Sequence, residues 1–474
     1  MSPWWLLALH LAVSGLLAAR LVVRRRDPVA TLAWLQAILL LPGVGALLYL
    51  VFGADRIERR YARRRRRRGE IPPDDQPVAS WLVTEPPAEL DPATAEALRV
   101  AIATSRNLPT RGNRVRVFDR VSELYRDMTR AFHDARRFVH LEYYIFQPDR
   151  TGQEFLELLA DRAAQGVEVR LLLDAVGSRR LTERHLAPLR ESGARVAWFL
   201  PLRAFPRRRA VHLRNHRKIA VVDGRIAYTG GVNIGDEYRG LWARQPPWRD
   251  THLRVEGPAV HQIHQVFAQD WHFAAGEDIV TPERFPAQEP AGSDTVHIVA
   301  SGPDDPARSL HTTLFQAIVT ARRRIWIETP YFIPDAPILT ALSTAARRGV
   351  DVQLLLPLRT DHPLVDRAGE SFLPELLEAG VRVFRYEPGM LHSKLVVVDG
   401  RWGLLGSANM DIRSFRLNFE INLLVLSPSL ARRLEAMFQA DRVHASPYTR
   451  VDVESASLAR RLTSSACRLL APVL

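Results

Sequence analysis

Cysteine is almost absent from this chain, since Cys467 is the single one among 474 residues. One cysteine excludes an intrachain disulfide and any zinc or iron–sulfur site built from several thiolates. Lysine is nearly as rare: of the 65 lysines and arginines, only Lys218 and Lys394 are lysine. Neither follows a glycine, so the Gly-Lys-Ser/Thr loop that binds nucleoside triphosphates is also missing.

The composition is otherwise that of a folded protein with unevenly placed charge. Apolar residues make up 47% and charged residues 25%, which excludes wholesale disorder and allows one large or two ordinary domains. The net charge is +13, but residues 1–69 hold 13 arginines against three acids, a balance of +10. The remainder of the chain shares +3, so it lacks a basic body suited to duplex nucleic acid.

The N-terminus carries two apolar segments. Residues 28–54 contain no charge, and 27 residues exceed the roughly 20 that a helix needs to cross a bilayer. Residues 4–19 form a shorter segment, for which a cleaved signal peptide or a helix at the membrane interface are the alternatives. We therefore expect residues 1–54 to be a membrane anchor of two apolar helices, with Pro42 and Gly43 suited to a kink.

Arginines flank both segments and predict their orientation. Four lie in the short loop between the segments, and nine follow the second segment between Arg56 and Arg68. This excess predicts a multi-pass protein of the bacterial inner membrane with a cytoplasmic body, and the nine should bind anionic headgroups. Six prolines between residues 71 and 92 predict that residues 55–110 are a polybasic flank and a semi-rigid linker. The globular part is then expected to start near residue 110.

The body contains two copies of one unit. The segments FVHLEYYIF, GVEVRLLLD, GARVAWF and HRKIAVVDGRIAYTGGVN correspond, in order, to IWIETPYF, GVDVQLLLP, GVRVFRY and HSKLVVVDGRWGLLGSAN. Helical patterns alternate with these strands at 122–136, 151–165 and 182–192, and again near 309–323, 335–348 and 371–379. The alternation predicts duplicated α/β domains related by a pseudo-twofold axis. The predicted boundaries are 111–281 for the first half, 282–295 for a linker, 296–450 for the second half and 451–474 for a C-terminal amphipathic tail.

One motif, His-x-Lys-x4-Asp-x6-Gly-[Gly/Ser]-x-Asn, occurs once in each half. A histidine and a lysine two residues apart on a strand point to the same face. Each copy thus offers a nucleophile or proton shuttle beside a fixed cation. The two lysines of the chain occupy matching positions, and lysine is a compact point charge whereas arginine is a planar fork. The members are His216, Lys218, Asp223, Gly231 and Asn233 in the first copy and His392, Lys394, Asp399, Ser407 and Asn409 in the second.

These paired motifs resemble the mark of the phospholipase D superfamily. Within it the chain is similar to the bacterial cardiolipin synthases, through PVATLAW…LPGVGALLYLVFG in the N-terminal segment, WRDTHLRVEG at 248–257 and GSANMDIRSFRLNFE at 406–420. The resemblance covers both the anchor and the catalytic body, and Gly231 stands where the second copy has Ser407. It implies duplicated phospholipase D-like domains that exchange one phosphodiester for another through a phosphohistidine intermediate, without a metal or other cofactor.

The resemblance also implies roles for the motif residues. His216 would attack phosphorus, while His392 would protonate the leaving alkoxide and then deprotonate the acceptor. The lysines would hold the non-bridging oxygens as negative charge builds, together with Asn233, Ser407 and Asn409. Asp223 and Asp399 are counted with the catalytic histidines and lysines. Asp-Gly is also a hairpin-turn dipeptide, however, so a structural role for both aspartates is equally open.

Two further acids are candidates for orienting the histidines. Asp250 in DTHLRV and Glu420 in EINLLV each open a matching strand, 34 and 28 residues after the histidine of the same half. The correspondence resembles the acidic shell around the histidines of the family, and a solvated strand end is the alternative. Three other histidines, at positions 261, 264 and 272, are expected to lie at the surface or pack in a helix, and no metal site is predicted.

Two arginine-containing segments have open interpretations. The insertion before the first motif could line the entrance to the site or form a solvated loop; its arginines are Arg203, Arg207, Arg208, Arg209 and Arg214. The C-terminal tail could be an amphipathic helix at a membrane surface or a helix packed on the body. Its leucines are Leu458, Leu462, Leu469 and Leu470, and its arginines are Arg460, Arg461 and Arg468.

The residues and the resemblance together predict a membrane-anchored phosphatidyltransferase. It would convert two phosphatidylglycerol molecules into cardiolipin and glycerol, a phosphodiester exchange that requires no nucleotide. The expected partners are phosphatidylglycerol, other anionic phospholipids and the membrane, with no nucleic acid. The alternatives are a hydrolytic phospholipase D that uses water as acceptor, a nuclease of the same superfamily and a non-enzymatic membrane scaffold.

Overall fold

The computed structural model describes residues 4–23, 28–52, 78–105, 107–201, 213–241 and 246–471. The chain forms two compact units. The first contains the described residues up to 52, and the second contains the described residues from 78 onward.

The N-terminal unit is a small helical cluster. It consists of α1 (Trp4–Val23), α2 (Pro28–Leu40) and α3 (Val44–Phe52). The second predicted apolar helix is therefore two helices, because the chain turns at Pro42 and at Gly43, whose φ of +72° lies in the left-handed region. Within the described residues, no helix combines the length and the apolarity that a membrane crossing requires.

Part of the predicted linker belongs to the folded body. Helix α4 (Pro92–Thr104) begins at Asp91, whose carboxylate accepts a hydrogen bond from the backbone N–H of Thr94. Ala97, Leu98 and Ala101 are buried in the hydrophobic core of the second half. The expectation that the globular part starts near residue 110 is thus wrong. The prolines of this segment suggested a linker, but its small apolar side chains recur at helical spacing and pack in the core.

The body is built on one 15-stranded sheet of the described residues. From the centre outward, the first half has the order β1-β7-β6-β5-β2-β3-β4, and the second half repeats it as β8-β16-β14-β13-β9-β11-β12, with β17 at the edge. The central strands β1 and β8 pair antiparallel and join the halves. The strands of the first half are β1 (Thr110–Phe118), β2 (Phe138–Tyr143), β3 (Glu168–Asp174), β4 (Arg195–Phe199), β5 (Lys218–Val222), β6 (Ile226–Gly230) and β7 (His252–Glu256).

The second half continues with ten strands, of which β10 and β15 form a separate small pair. This equal order in both halves confirms the predicted duplicated α/β fold. The strands are β8 (Asp294–Ser301), β9 (Arg324–Glu328), β10 (Phe332–Ile333), β11 (Asp351–Pro357), β12 (Arg382–Tyr386), β13 (Leu395–Val398), β14 (Trp402–Gly406), β15 (Met410–Asp411), β16 (Glu420–Leu426) and β17 (Ala445–Tyr448).

Helices cover the sheet and enclose one large hydrophobic core in each half. The three successive leucines in β3 and in β11 are all buried because both faces of these strands are covered. The helices of the first half are α5 (Val121–His133), α6 (Arg150–Ala164), α7 (Glu183–Glu191) and α8 (Ala259–Ala275). Those of the second half are α9 (Ser309–Thr320), α10 (Ala336–Arg347), α11 (Pro363–Glu370), α12 (Leu373–Ala379), α13 (Ile412–Arg416), α14 (Pro428–Val443), α15 (Arg450–Glu454) and α16 (Leu458–Arg468).

Candidate active site

Both motif histidines lie just before equivalent strands, and each is held by the opposite half. The backbone N–H of His216, ahead of β5, donates to the carbonyl of Phe419 at 2.9 Å. The backbone N–H of His392, ahead of β13, donates to the carbonyl of Arg249 at 2.7 Å. Short parallel bridges at these positions bring the two motifs together at the seam between the halves.

The two predicted orienting acids do contact the histidines, but each crosses to the other half. Nδ1 of His216 lies 3.0 and 3.1 Å from the two carboxylate oxygens of Glu420. Nδ1 of His392 lies 2.6 Å from Oδ2 of Asp250. Both acids are completely buried, which excludes the alternative of a solvated strand end. Because Nδ1 faces a carboxylate in both rings, Nε2 is the nitrogen left to meet a phosphorus or a proton.

This crossing corrects the sequence-based pairing of each acid with the histidine of its own half. Phe419 directly precedes Glu420, and Arg249 directly precedes Asp250. Each histidine is hydrogen-bonded through its backbone to Phe419 or Arg249 of the opposite half. The acid that comes next in the chain therefore lies against the ring of that histidine. Separation along the chain carries no information on this bridge, because it depends on how the two halves meet.

The two acids are themselves held differently. Oγ of Ser407 donates to Glu420 at 2.5 Å and also accepts from the backbone N–H of Ile421. Asp250 accepts from the backbone N–H of Thr251 at 2.7 Å. At Gly231, the position equivalent to Ser407, an added Cβ would collide with the Asp250 carboxylate. The Gly/Ser difference between the motifs thus matches the different placement of the two acids.

The two lysines are buried beside the histidines. Nζ of Lys218 donates to the carbonyl of His216 at 2.6 Å and faces the ring of Tyr144, with its centroid at 5.3 Å. Nζ of Lys394 lies 3.0 Å from Nδ1 of His392 and also donates to that residue's carbonyl. Burial lowers the pKa of Lys218 to about 7 and that of Lys394 to about 8.

Both imidazoles have depressed basicity. Burial lowers the pKa of His216 to about 4, Glu420 opposes the shift, and the charges of Lys218 and Lys394 add to it. Burial and Lys394 likewise lower the pKa of His392. The charge of Lys394, in the other half, thus acts on His216. A neutral His216 that donates Nδ1–H to Glu420 has a lone pair at Nε2, the form that a nucleophile requires.

The two motif aspartates are away from the histidines, which corrects their assignment to the catalytic set. Asp223 and Asp399 lie in the turns after β5 and β13, with φ of 51° and 54°. The carboxylate of Asp223 accepts from the backbone N–H groups of residues 136, 137 and 138 at 2.8–2.9 Å. That of Asp399 accepts from residues 322, 323 and 324 at 2.7–2.9 Å. The structure therefore supports the structural alternative: each aspartate ties its turn to the start of a neighbouring strand.

The three predicted phosphate-binding residues divide into two kinds. The structure does not support the phosphate-binding assignment of Ser407, because its hydroxyl donates to the carboxylate of Glu420. Asn233 donates from Nδ2 to the hydroxyl of Tyr238 at 3.0 Å and accepts from the backbone N–H of Ile145. Oδ1 of Asn409 is buried without a hydrogen-bond partner in the described part of the chain. An amide nitrogen carries two N–H donors, and the bond to Tyr238 uses one of the two in Asn233. Phosphate binding by both asparagines stays a prediction.

Aromatic rings line the site, and two arginines support it, Arg217, which is buried, and Arg249, which is partly buried; the sequence patterns predicted neither feature. Rings surround the histidines: Tyr144 packs 4.8 Å from His216, and Trp248 packs 5.2 Å from His392, measured between centroids. The available signal for these rings was their position in two segments already singled out: Tyr144 lies in FVHLEYYIF, and Trp248 begins WRDTHLRVEG. The arginines bind the acids' backbone: Arg217 donates to the carbonyl of Glu420 at 3.1 Å, and Arg249 donates to that of Asp250 at 2.7 Å.

The sequence left open a role for the arginine insertion, and it predicted packing or surface positions for three other histidines. Arg203, Arg207, Arg208 and Arg209 lie outside the described residues. Arg214 is buried and 3.4 Å from Asp174, so it does not line an entrance. His261 and His264 are buried on α8, where His264 stacks on Phe285 and bonds to His140 at 2.9 Å, as expected for packing residues.

Comparisons with known proteins agree with this geometry. Residues 128–271 and 314–442 match a family described as "Cardiolipin synthase, PLD-like domain", and residues 15–53 match one described as "Phospholipase_D-nuclease N-terminal". The chain is 38% identical to a cardiolipin synthase of Geobacillus thermodenitrificans over 95% of this chain and 90% of that protein. It is 36% identical to cardiolipin synthase A of Pseudomonas aeruginosa over 99% of this chain and 96% of that protein.

A solved structure shares the fold. The phosphatidylserine synthase of Haemophilus influenzae superposes with a TM-score of 0.60 at 15% identity. The match covers 80% of this chain and the whole of that one. The similarity therefore spans both halves of the sheet.

Proposed function

Because the chain belongs to the family of cardiolipin synthases built from phospholipase D-like domains, we propose that it is a phosphatidyltransferase that makes cardiolipin. Its substrates are two phosphatidylglycerol molecules, and its products are cardiolipin and glycerol. The observation that carries the proposal is the pair of buried histidines, each with a carboxylate at Nδ1 and a lysine beside it. One ring supplies the nucleophile and the other supplies the acid and base.

The first half-reaction transfers the phosphatidyl group to the protein. Nε2 of His216 attacks the phosphorus of phosphatidylglycerol, an N–P bond forms, and the P–O bond to the headgroup glycerol breaks. His392 gives its Nε2 proton to the leaving glycerol oxygen. Glu420 stabilises the positive charge that develops on His216, and the lysine ammonium groups stabilise the charge on the non-bridging oxygens.

The second half-reaction transfers the phosphatidyl group from His216 to the acceptor lipid. His392 removes the proton from a headgroup hydroxyl of a second phosphatidylglycerol. That oxygen attacks the phosphorus, the N–P bond breaks, and cardiolipin leaves with His216 restored. Asp250 favours the protonated imidazolium of His392 in this step, because its carboxylate lies at 2.6 Å from Nδ1.

A product assay tests the proposal. Purified full-length protein is incubated with phosphatidylglycerol that carries one label in the headgroup glycerol and another in the acyl chains. Cardiolipin and free glycerol in equal amounts are expected, and the variants His216→Asn and His392→Asn serve as inactive controls. Phosphatidic acid in place of cardiolipin would identify a hydrolase. Cleavage of nucleic acid without a lipid product would identify a nuclease.

The N-terminal unit would hold the protein at the membrane. Its outer surface is strongly apolar: Trp4, Leu16 and Leu40 are each more than 70% exposed. Exposed apolar surface of this extent is typical of contact with lipid or protein. We propose that the unit contacts the acyl chains of the bacterial inner membrane, with the body on the cytoplasmic side. The nine arginines that predict this side lie outside the described residues.

A further inference from the structure

The C-terminal helix α16 is packed with its polar side toward the body. Arg460 forms two hydrogen bonds with the carboxylate of Glu370 on α11, at 3.2 and 2.8 Å. The guanidinium of Arg468 lies 4.3 Å from the ring centroid of Phe372. Ser464, between these arginines, is buried. A surface helix ordinarily buries its apolar side instead, so this orientation calls for an explanation.

The apolar side of α16 faces outward. Leu458, Leu462 and Leu469 are 70%, 61% and 81% exposed. At about 100° per residue these three fall within roughly 40° of one another. Ser464 and the body-facing arginines lie on the opposite side of the helix. We call these three residues the leucine face. Arg461 is exposed next to it and forms no ion pair with the described residues.

Helix α16 packs on α11, the helix that follows a loop near His392. The loop 358–362 between β11 and α11 lies beside His392: Asp361 accepts a hydrogen bond from the hydroxyl of Tyr331. The ring centroid of Tyr331 is 6.4 Å from that of His392. Leu358 and Leu364, on either side of this loop, are also exposed. Helix α11 follows at once and packs on α16, so exposed leucines occur both near His392 and on the helix that packs against α11.

We propose that the leucine face, with Leu358 and Leu364, docks the catalytic body on an anionic phospholipid bilayer. The inference rests on the proposed function, because a substrate held in a bilayer must reach His392 from the membrane. Apolar side chains enter the region between headgroups and acyl chains, and Arg461 binds lipid phosphates at the same level. This docking would be separate from the N-terminal unit and would place the site at the membrane surface.

A fluorescent probe tests whether the leucine face enters the bilayer. The full-length protein with Cys467→Ser and Leu462→Cys is labelled with an environment-sensitive dye and reconstituted in phosphatidylglycerol vesicles. The control is the same protein labelled at Glu157→Cys, an exposed position on α6 in the first half. Blue-shifted emission at 462, quenched by lipids with spin-labelled acyl chains, is expected, with neither effect at 157. A shift without lipid quenching would indicate contact with a second copy and would overturn bilayer docking, as would no shift.

Kinetics give an independent readout. The triple variant Leu458→Ser, Leu462→Ser and Leu469→Ser should raise the apparent KM for vesicle phosphatidylglycerol at least about tenfold, since each exposed leucine loses apolar burial in the bilayer. Its kcat on water-soluble short-chain phosphatidylglycerol should not change. Equal effects on both substrates would contradict docking. If the unaltered protein forms no cardiolipin, the proposed function fails, while the probe result still decides the docking.

Discussion

At the scale of single residues, the site combines groups whose ionisation is set by burial and by each other. His216 and His392 are both buried, with a carboxylate at one ring nitrogen. Lys218 and Lys394 both lower the pKa of His216, and burial lowers their own pKa values toward neutrality. The proposed mechanism gives the two histidines distinct steps, and its predictions at this scale concern the histidines, the lysine pKa values and the rarity of lysine.

The first prediction concerns the division of labour between the histidines. His392→Ala should still form a phosphatidyl–enzyme on His216 that can be trapped with labelled lipid, whereas His216→Ala should form none. Each variant should lose about 10²–10⁴-fold in turnover, the usual range for a general acid or base. Peptide mapping of the acid-labile label measures the outcome. Label on His392 would reverse the assignment.

Variants of Glu420 and Asp250, the acids that each contact the histidine of the opposite half, extend this prediction. Glu420→Gln should slow labelling of His216, because its carboxylate stabilises the ring that becomes positively charged. Asp250→Asn should slow release of the label more than its formation. The opposite result would mean that each acid acts on the histidine of its own half, against the geometry.

The second prediction concerns pH. A lysine with a lowered pKa is charged below that pKa and loses its charge as the pH rises through it. Values of about 7 and about 8 for Lys218 and Lys394 therefore predict that kcat/KM for an anionic diester falls above neutral pH. Loss of the His392 proton, which the first half-reaction requires and whose pKa burial lowers, begins the same fall at lower pH. His216, with a pKa of about 4, is protonated only in acid, so the acid limb should lie near that value. Initial rates at low substrate measure both limbs; a rate still constant at about pH 10 would contradict the lysine assignment.

The third prediction concerns the rarity of lysine. Lys218→Arg and Lys394→Arg keep the charge but should each lower activity at least about 100-fold, because misplacement by about 1 Å can cost that much. Nζ of Lys218 lies between the His216 carbonyl and the Tyr144 ring, where a planar guanidinium has no equivalent position. Product formation is compared with the thermal melt of each variant, and Arg184→Lys, at an exposed position on α7, is the control. Near-normal activity of both variants would show that charge alone suffices.

At the scale of elements, the turns after β5 and β13 show how a motif residue can be structural. Each turn holds an aspartate in the left-handed region, and its carboxylate binds three successive backbone N–H groups at the start of the neighbouring antiparallel strand. The motif therefore has two parts along one hairpin. Its histidine and lysine lie in the candidate site, and its aspartate, at the turn, binds the backbone of the neighbouring strand.

The fourth prediction follows from this separation. Asp223→Asn and Asp399→Asn can keep the left-handed backbone but replace one carboxylate oxygen by a donor that faces other donors. Hydrogen bonds to a charged group contribute about 1.5–3 kcal/mol, so a loss of stability of about that size is expected. Activity per folded molecule should change less than about tenfold. Thermal melts and the product assay together measure this. A large activity loss at an unchanged melting temperature would restore the catalytic assignment.

At the scale of the whole molecule, the two halves complete each other. Neither half contains a histidine together with the acid that orients it, because both pairs cross the seam. The central β1–β8 pairing and the bridges at Phe419 and Arg249 fix the position of one half relative to the other. A duplicated chain thus yields one active site rather than two.

The fifth prediction concerns the location of the whole protein. Membrane attachment by the N-terminal unit predicts that high salt and alkaline carbonate leave the protein in the membrane pellet and that detergent releases it. Its exposed apolar side chains give the physical reason, since washing in salt does not weaken apolar contact with lipid. Release by carbonate alone would contradict an integral attachment and favour an interfacial one.

The sequence by itself determined the duplicated α/β fold and the histidine–lysine pairs, because both are written in local patterns: apolar strand runs, helical periods and residues two apart on a strand. It also identified Asp250 and Glu420 as acids of the site. What it could not determine was which histidine each acid serves, or that Asp223, Asp399 and Ser407 bind protein groups rather than substrate. The crossed pair His216–Glu420 joins residues 204 positions apart and depends on how the two halves meet at the seam. The aspartate and serine contacts lie within one half and depend on which strands are neighbours there.

The same distinction applies to the ends of the chain. The leucine–arginine pattern of α16 showed an amphipathic helix, but either face could have been buried. Only the tertiary structure decided that Arg460 and Arg468 face the body and that the leucines face outward. Likewise, the small apolar residues of α4 revealed their place in the core only through the neighbouring helix. Local pattern specifies an element and its faces, whereas the free energy of packing against distant elements selects which face is buried.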